Sequence, residues 1–236
     1  DDTIAWYGLG SCYDGLDKPE DAIAAYKQAV RIDPKNADAH NNLGRYYRKL
    51  GHYEDAIEAY HQAIEADPDH AASYFDLGML YGKLEEFENG EETFKQVRRI
   101  NPGHAPTHHY LGLIYNGLGR YDDAVESCKK ALKINPNSAP TLYNLGIAYG
   151  GLGKSRQEME AFKQAIRVDP DFAPAHYNMG IIYLINSDKA VIKSRYAKLI
   201  NRKAECGVGA NQYFVVTFQE RINRINLTAI LSGGIT

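Results

Sequence analysis

Apolar residues recur at helical spacing in two short blocks, and the same two blocks return along most of the chain. In the first block, Leu43, Tyr47 and Leu50 fall on one helical face. The second block has its small and apolar residues at Ala56, Tyr60, Ala63 and Ile64. Gly51 separates the blocks, and Pro68 ends the second because proline disfavours helical geometry in the residue before it. Each unit is therefore predicted to be a pair of helices.

The unit returns every 34 residues without an insertion. The pair Leu-Gly stands at Leu9-Gly10, Leu43-Gly44, Leu77-Gly78, Leu111-Gly112 and Leu145-Gly146, with Met179-Gly180 as a variant. A tyrosine follows each glycine, at Tyr13, Tyr47, Tyr81, Tyr115, Tyr149 and Tyr183. Gly44 and Ala56 are small, which lets the two helices of a unit approach closely. Because one such pair cannot bury its apolar face alone, neighbouring units are expected to stack into a continuous core.

This pattern resembles that of the tetratricopeptide family. The first repeat carries it as Trp6, Leu9, Gly10, Tyr13, Ala22, Tyr26, Ala29 and Pro34. The resemblance implies an all-α, right-handed superhelical solenoid of antiparallel helix pairs, with about five full repeats and a partial sixth. The chain departs from the family at Gly90 and Glu158, where alanine is usual, at Cys128, where an aromatic is usual, and at Ser155, where tyrosine is usual. These departures are expected to loosen repeats three to five locally.

The predicted organisation has three parts. The solenoid spans 3–186, in repeats 3–36, 37–70, 71–104, 105–138, 139–172 and a partial repeat 173–186. Apolar residues at helical spacing predict a capping helix over 187–203. The tail 204–236 diverges from the repeat, and three alternatives remain for it: a linker, a packed extension, or a segment that enters the groove of its own or a neighbouring molecule. Its apolar content argues against a linker, so we expect it to contact apolar surface, within the molecule or across a homo-oligomer.

In the family, the first helix of each pair lines a concave groove. The resemblance places these candidate ligand-binding residues there: Asn41, Asn42, Arg45, Arg48, Lys49, Phe75, Asp76, Met79, His109, Tyr110, Leu113, Tyr143, Asn144, Ile147, Tyr177, Asn178 and Ile181. The cations at one end attract an acidic ligand segment or form a solvated face. The apolar residues that follow predict an exposed stripe for a partner. The asparagines at the sixth position of their repeats either grip a peptide backbone or are simply solvated.

The charge, the apolar runs and the cysteine content limit the kinds of partner and site that the sequence predicts. A net charge of −3 gives no field that favours nucleic acid or an anionic membrane. No apolar run is long enough to span a membrane, and no signal peptide opens the chain, which starts without methionine and is expected to be a fragment or processed form. Three widely spaced cysteines predict neither a disulfide framework nor a zinc site, and they favour a reducing compartment such as the cytoplasm. No cofactor and no metal are predicted.

Three residue types that invite a catalytic hypothesis have structural explanations. The histidines at the fourth position of their repeats are predicted to be packing residues: His40, His108 and His176. Cys128, on a second helix, is predicted to be buried. The glycine-rich segment 150–153 is predicted to be a flexible turn, since it lacks the Lys-Ser/Thr of a phosphate loop.

The sequence thus predicts a non-catalytic scaffold that binds a protein or peptide in the groove. The carboxylate clamp of chaperone-binding members is missing: of its positions only Asn42 matches, and Tyr7, Ser11, Ala72 and Asp76 stand at the others. Two alternatives remain: a substrate-recruiting repeat region of a larger enzyme such as a glycosyltransferase, or a self-assembling structural protein. Homo-oligomers through the tail or the solenoid ends are a further possibility.

Overall fold

The structure is a computed structural model, and it describes residues 2–186, with side chains up to Tyr183. Within these residues the backbone forms eleven α-helices: α1 Asp2–Gly15, α2 Pro19–Ile32, α3 Ala37–Leu50, α4 Tyr53–Ala66, α5 Ala71–Lys83, α6 Phe87–Ile100, α7 Ala105–Gly117, α8 Tyr121–Ile134, α9 Ala139–Gly151, α10 Ser155–Val168 and α11 Ala173–Asn186. Consecutive helices pack in pairs, which confirms the predicted all-α solenoid of helix pairs. The predicted capping helix 187–203 and the tail 204–236 lie outside the described residues.

The chain divides into two compact units, Asp1–His176 and Tyr177–Thr236. The first unit contains α1 to α10 and the beginning of α11. In it, the first helices of neighbouring repeats also contact each other, as α3 does with α5, α5 with α7, and α7 with α9. The described residues of the second unit are those of the remaining part of α11.

Each second helix is followed by one C-cap residue and then a proline. Asp67 has extended backbone angles, φ −139° and ψ 101°, and its N–H donates to the carbonyl of Ala63. The side chain of Asp67 then accepts from the N–H of Asp69 at 3.0 Å, which fixes the turn around Pro68. The residues equivalent to Asp67 are Asp33, Asn101, Asn135 and Asp169, and each is also the C-cap of its helix. The expected helix-ending role of the prolines is confirmed.

The turn inside each helix pair holds one residue in the left-handed region. These residues stand at equivalent places in successive repeats: Asp17 (φ 53°), Gly51 (φ 81°), Glu85 (φ 64°), Gly119 (φ 70°) and Gly153 (φ 71°). Glycine adopts this conformation without a steric cost, whereas a residue with a Cβ does not. The turns at Asp17 and Glu85 are therefore the strained ones.

The glycine of the Leu-Gly pair marks the closest approach of two paired helices. A Cβ on Gly44 would lie 2.6 Å from the ring of Tyr60, and Tyr60 is fully buried. In the fourth repeat, a Cβ on Gly112 would instead lie 2.5 Å from Sγ of Cys128. The same approach occurs between Gly10 and Tyr26, Gly78 and Phe94, and Gly146 and Phe162. The packing reason expected for these glycines is confirmed.

Two expectations about irregular positions need correction. The turn predicted for 150–153 begins late, because α9 continues to Gly151. A Cβ on Gly151 would lie 2.5 Å from the ring of Tyr121, so this glycine accommodates the neighbouring repeat and is not a flexible connector. At Gly90, a Cβ would lie 2.8 Å from Cδ1 of Ile114. The missing side chain at Gly90 therefore leaves room for Ile114 of the next repeat, and this departure does not loosen the packing.

A candidate groove on the first helices

The polar half of the groove lies on α1, α3 and the middle of α5, and we define it by Tyr7, Asn42, Arg45, Arg48 and Asp76. The amide of Asn42 donates to the Tyr7 hydroxyl at 3.3 Å. Nη1 of Arg45 donates to Oδ1 of Asn42 at 3.4 Å, and the Arg45 side chain is exposed. The amide of Asn42 therefore links two neighbouring repeats, and only part of its hydrogen-bonding capacity is left for a ligand.

Asp76 is the mostly buried carboxylate of this half, with 13% of its side chain exposed. It accepts from the amide of Asn41 at 3.2 Å, and its Oδ1 lies 4.0 Å from Nη2 of Arg48. Burial raises the pKa of the Asp76 carboxyl, and Asn41 and Arg48 oppose that shift. Because Asn41 is buried in this contact, its amide is held inside the protein, which differs from the ligand-facing place expected for it.

Two buried donors sit beside Asp76. Nε of Arg48 and the hydroxyl of Tyr60 are buried without a well-aligned hydrogen-bond partner among the described residues, and Arg48 lies close enough to the Tyr60 hydroxyl to oppose the rise of its pKa. Burial and the Asp76 carboxylate raise the pKa of Tyr60, so its hydroxyl keeps its proton. The Arg48 side chain remains 32% exposed, and its guanidinium thus spans the groove surface and this buried pocket.

The aromatic half of the groove lies on α5, α7 and α9, and we define it by Phe75, His109, Tyr110 and Tyr143. The Tyr110 ring stacks on Phe94 of α6, with centroids 5.7 Å apart and an interplanar angle of 12°. The Phe75 ring meets Tyr110 edge-on at 5.5 Å. These half-buried rings form a packed cluster, so the apolar stripe is less open to water than the sequence predicted.

His109 connects two repeats within the aromatic half. Its Nδ1 lies 2.9 Å from the hydroxyl oxygen of Thr141 on α9. Burial lowers the pKa of His109, which favours a neutral ring at physiological pH. Nearby, the Asn116 amide donates to the backbone carbonyl of Asn144 at 2.9 Å, and the Asn116 Oδ1 is buried without a hydrogen-bond partner in the described part of the chain. Asn144 itself is buried, and this differs from the exposed amide that the sequence predicted.

Tyr143 also has a structural contact. Its ring lies 5.6 Å from that of Phe162 and 5.8 Å from that of Phe172. The other apolar candidates of the first unit are half-buried: Met79, Leu113 and Ile147. The remaining candidates belong to the second unit: Tyr177, Asn178 and Ile181. Lys49 is exposed, and its Nζ lies 5.7 Å from the ring centroid of Tyr46.

Sequence reasoning missed two residues of this groove, Asn116 and Thr141, and the role of Tyr60, which is buried beneath its polar half. Tyr60 stands at a consensus aromatic position, so the sequence gives no sign that its hydroxyl lies beside Asp76 and Arg48. Asn116 occupies the place in its repeat that Arg48 occupies two repeats earlier, and this position was already expected to face the groove. Only Asn116 therefore had a usable signal in the sequence.

The residues that invite a catalytic hypothesis are structural here. Nε2 of His40 lies 3.0 Å from the carbonyl of Pro34, and the same bond joins His108 to Pro102 and His176 to Pro170. Cys128 is fully buried, and burial raises the pKa of its thiol to about 12. Within residues 2–183 no three histidine, cysteine or carboxylate side chains cluster as a metal site would need. Among the described helices, none is both long and apolar enough to cross a membrane.

The fold and this groove define a tetratricopeptide-repeat protein, the class to which protein-interaction scaffolds of this architecture belong. The chain belongs to the family of the Cilia and flagella-associated protein 70 C-terminal domain, whose model matches residues 2–212. A comparison with curated protein sequences finds no match.

Solved structures share the fold. A crystal structure of MamA protein is 27% identical, with a TM-score of 0.65 over 73% of this chain and 94% of that one. MamA from Desulfovibrio magneticus RS-1 is 18% identical, with a TM-score of 0.68 over 73% of this chain and 97% of that one. YrrB, described as a tetratricopeptide protein with an unusual peptide-binding site, is 21% identical, with a TM-score of 0.67 over 75% of this chain and 91% of that one.

Proposed function

We propose that the chain is a non-catalytic scaffold that binds a segment of a partner polypeptide along the first helices of its repeats. The observation that carries this proposal is the set of buried polar atoms left without partners on that side. In the polar half this atom is Nε of Arg48, a donor, and in the aromatic half it is Oδ1 of Asn116, an acceptor. A peptide backbone or side chain offers the complementary groups, and buried polar atoms are rarely left unpaired in a complete complex.

The surroundings of these atoms support a peptide as the ligand. Half-buried rings flank them in the aromatic half, and exposed cations flank them in the polar half. Rigid aromatic and arginine side chains are the groups that contribute most of the energy at protein interfaces. YrrB, which has this fold, is described as having a peptide-binding site, and this likeness supports the same kind of use here.

The non-catalytic part of the proposal rests on the chemistry of the side chains. The buried Cys128 thiol is protonated at neutral pH, and a protonated thiol is a poor nucleophile. The histidines bonded to proline carbonyls are fixed in the packing between helices. The Thr141 hydroxyl that lies against His109 is buried and also contacts the Ser138 hydroxyl, so this pair of residues has a place in the packing between helices.

Selection from a library of random dodecapeptides displayed on phage tests this function. We expect the wild-type chain to enrich peptides that lose binding to an Arg45→Glu variant, because Arg45 is an exposed groove residue. Lys129→Glu, a charge reversal at an exposed position of the second helix α8, is the matched control and is expected to retain them. Circular dichroism checks that both variants fold. The proposal would be contradicted if no groove substitution weakened binding of the enriched peptides, or if no peptide were enriched.

A further inference from the structure

Two of the three helices that form the aromatic half contain no permanently charged side chain. α7 and α9 have no aspartate, glutamate, lysine or arginine along their whole length. In the polar half, by contrast, α3 has both acidic and basic residues. Histidine is the side chain whose charge changes near neutral pH. The histidines at the start of α7 are therefore the groups through which this region gains charge: His104, His108 and His109.

Two of these histidines pack against aromatic rings. His104, the N-cap of α7, meets Phe75 edge-on with the ring centroids 5.0 Å apart, and His109 meets Tyr110 edge-on at 5.0 Å. Phe75, Phe94 and Tyr110 also contact one another, with centroids 5.5–5.8 Å apart. We call these five residues the ring cluster. A proton taken up by either histidine would place a positive charge among apolar rings.

Both histidines are held by buried hydroxyl groups. Nδ1 of His104 lies 2.7 Å from the hydroxyl oxygen of Thr107, and Nδ1 of His109 lies 2.9 Å from that of Thr141. Both threonines are buried. Burial lowers the pKa of both histidines, and the nearby His108 lowers that of His104 further. The packing of the ring cluster therefore favours the neutral imidazoles.

The charged groups packed against α7 do not offset this burial. On α5, the Asp76 carboxyl interacts with Asn41 and the polar half, and Lys83 lies over the Tyr53 ring. The charged groups of α6, α8 and the turn before α8 that act on α7 do so at Tyr115, near its C-terminal end: Glu91, Lys95, Arg98, Arg120 and Asp123. The other charged residues of α6 and α8 are exposed, and the Cys128 thiol of α8 stays protonated. The titratable groups of α9 are tyrosines, Tyr143 and Tyr149.

We propose that the aromatic half is an acid-sensitive switch, in which protonation of His104 and His109 separates the ring cluster and releases an apolar partner segment. The inference rests on the proposed function for the partner and adds its regulation. An imidazolium needs water or an anion around it, and the rings provide neither. The protonated histidines therefore move towards solvent, and their contacts with Phe75 and Tyr110 are lost.

The direction of the pH effect follows from the lowered pKa values. The stabilisation by the neutral histidines is complete above the ordinary histidine pKa of about 6.5. It is lost as the pH falls from there through the lowered pKa values of the folded chain. The switch therefore operates on the acidic side of neutral pH.

A pH titration of the ligand-free chain from pH 7.5 to pH 5 tests the switch. Two-dimensional NMR of the ring protons follows the histidines and Tyr110. We expect His104 and His109 to titrate with midpoints below about 6.5, and the Tyr110 ring signals to shift with the same midpoints. In the double variant His104→Gln, His109→Gln these Tyr110 shifts should be absent. His52→Gln is the matched control and should leave them unchanged, because the His52 side chain is 60% exposed in the turn before α4.

Fluorescence anisotropy tests the release of an apolar segment. The probe is the hexapeptide Gly-Phe-Leu-Phe-Leu-Gly with both ends blocked and a rhodamine label. It has no group that titrates between pH 5 and pH 7.5, so a pH dependence of binding arises in the protein. We expect binding to be about tenfold weaker at pH 5 than at pH 7.5. The double variant should bind equally at both pH values, and His52→Gln should keep the wild-type difference.

Histidine midpoints at or above about 6.5, or Tyr110 signals that do not follow them, overturn the inference. Equal hexapeptide binding at the two pH values, or none at pH 7.5, also overturns it. The wild-type titration decides the question if the double variant does not fold. The library selection separates this inference from the proposed function. Groove-dependent peptides with a ring cluster that ignores pH leave the proposed function standing, whereas a responsive ring cluster without any groove-dependent peptide contradicts the proposed function.

Discussion

The two halves of the groove use the same helix positions for different purposes. In the aromatic half, the groove side chains are part of the packing, as Tyr110 stacked on Phe94 shows. In the polar half, Arg45 and Lys49 extend into solvent, and the packing lies beneath them in the buried ring of Tyr60. The comparison teaches that a residue predicted to face a groove does not have to be free for a ligand. Substitutions in the polar half should therefore change ligand binding with little effect on stability, whereas substitutions in the aromatic half should change both.

The largest effect is expected from Tyr110→Ala. Removing a half-buried ring that contacts Phe94, Phe75 and His109 should lower the free energy of unfolding by about 3 kcal/mol. Arg45→Ala, in the polar half, should lower it by less than about 0.5 kcal/mol because the side chain is exposed. Urea unfolding followed by circular dichroism measures both. Equal losses for the two variants would contradict the division of the groove.

The next-largest effect on stability is expected where a glycine of the first helix contacts the second helix of its pair, beneath each half of the groove. Gly44→Ala drives a Cβ against the buried ring of Tyr60, and we expect a loss of about 2–3 kcal/mol. Gly112→Ala meets only Sγ of Cys128, which can rotate, so the expected loss is about 1 kcal/mol. The double variant Gly112→Ala, Cys128→Ala should recover most of that loss. If the double variant is no more stable than Gly112→Ala alone, the contact with Cys128 is not the cause.

Asp76→Asn, in the polar half, should change the free energy of unfolding by a smaller amount, and this change should depend on pH. Burial raises the pKa of Asp76, so the ionised carboxylate costs the folded state free energy at neutral pH. We expect the variant to be more stable than wild type at pH 7.5. The difference should shrink as the pH falls through the raised pKa of Asp76, and disappear below the ordinary pKa of an aspartate. Urea unfolding across this pH range checks it, and a variant that is less stable at pH 7.5 would show that Asp76 is a net stabilising partner of Arg48.

The smallest effect concerns the repeat that joins the two halves. Glu85 has a positive φ of 64° at a place where three other repeats have glycine and the first has Asp17. Glu85→Gly should therefore raise the free energy of unfolding by about 0.5–1 kcal/mol. Gly119→Ala, at the equivalent place of the next repeat, is the matched control and should lower it by a similar amount. Thermal unfolding measures both, and a destabilised Glu85→Gly variant would mean that its side chain has a role in the turn.

The sequence was sufficient for the fold because its determinants are local and repeated. The positions of Gly44, Tyr60 and Pro68 recur in every full repeat or nearly so, and each has one physical role that can be read from one unit. The candidate site was harder, because the state of a groove side chain depends on its neighbour one repeat away. The contact of Asn41 with Asp76 and that of His109 with Thr141 join residues more than 30 positions apart.

The sequence also does not show which polar atoms are buried or paired in the folded chain. The consensus explains why position 60 is aromatic, yet not that the buried Tyr60 hydroxyl lies beside Arg48 and Asp76. It also placed Asn144 in the groove by its position, whereas the structure buries this residue. Burial and pairing depend on rotamers and on the distance between stacked repeats, neither of which is encoded by a single residue.

The most direct test of the central claim is a two-dimensional amide NMR spectrum of the chain, recorded during titration with a peptide from the library selection. If the first helices bind the partner, the largest shift changes should fall on α3, α5, α7 and α9, with small changes on the second helices α4, α6 and α8. Changes concentrated on those second helices, or confined to residues beyond 186, would contradict the account.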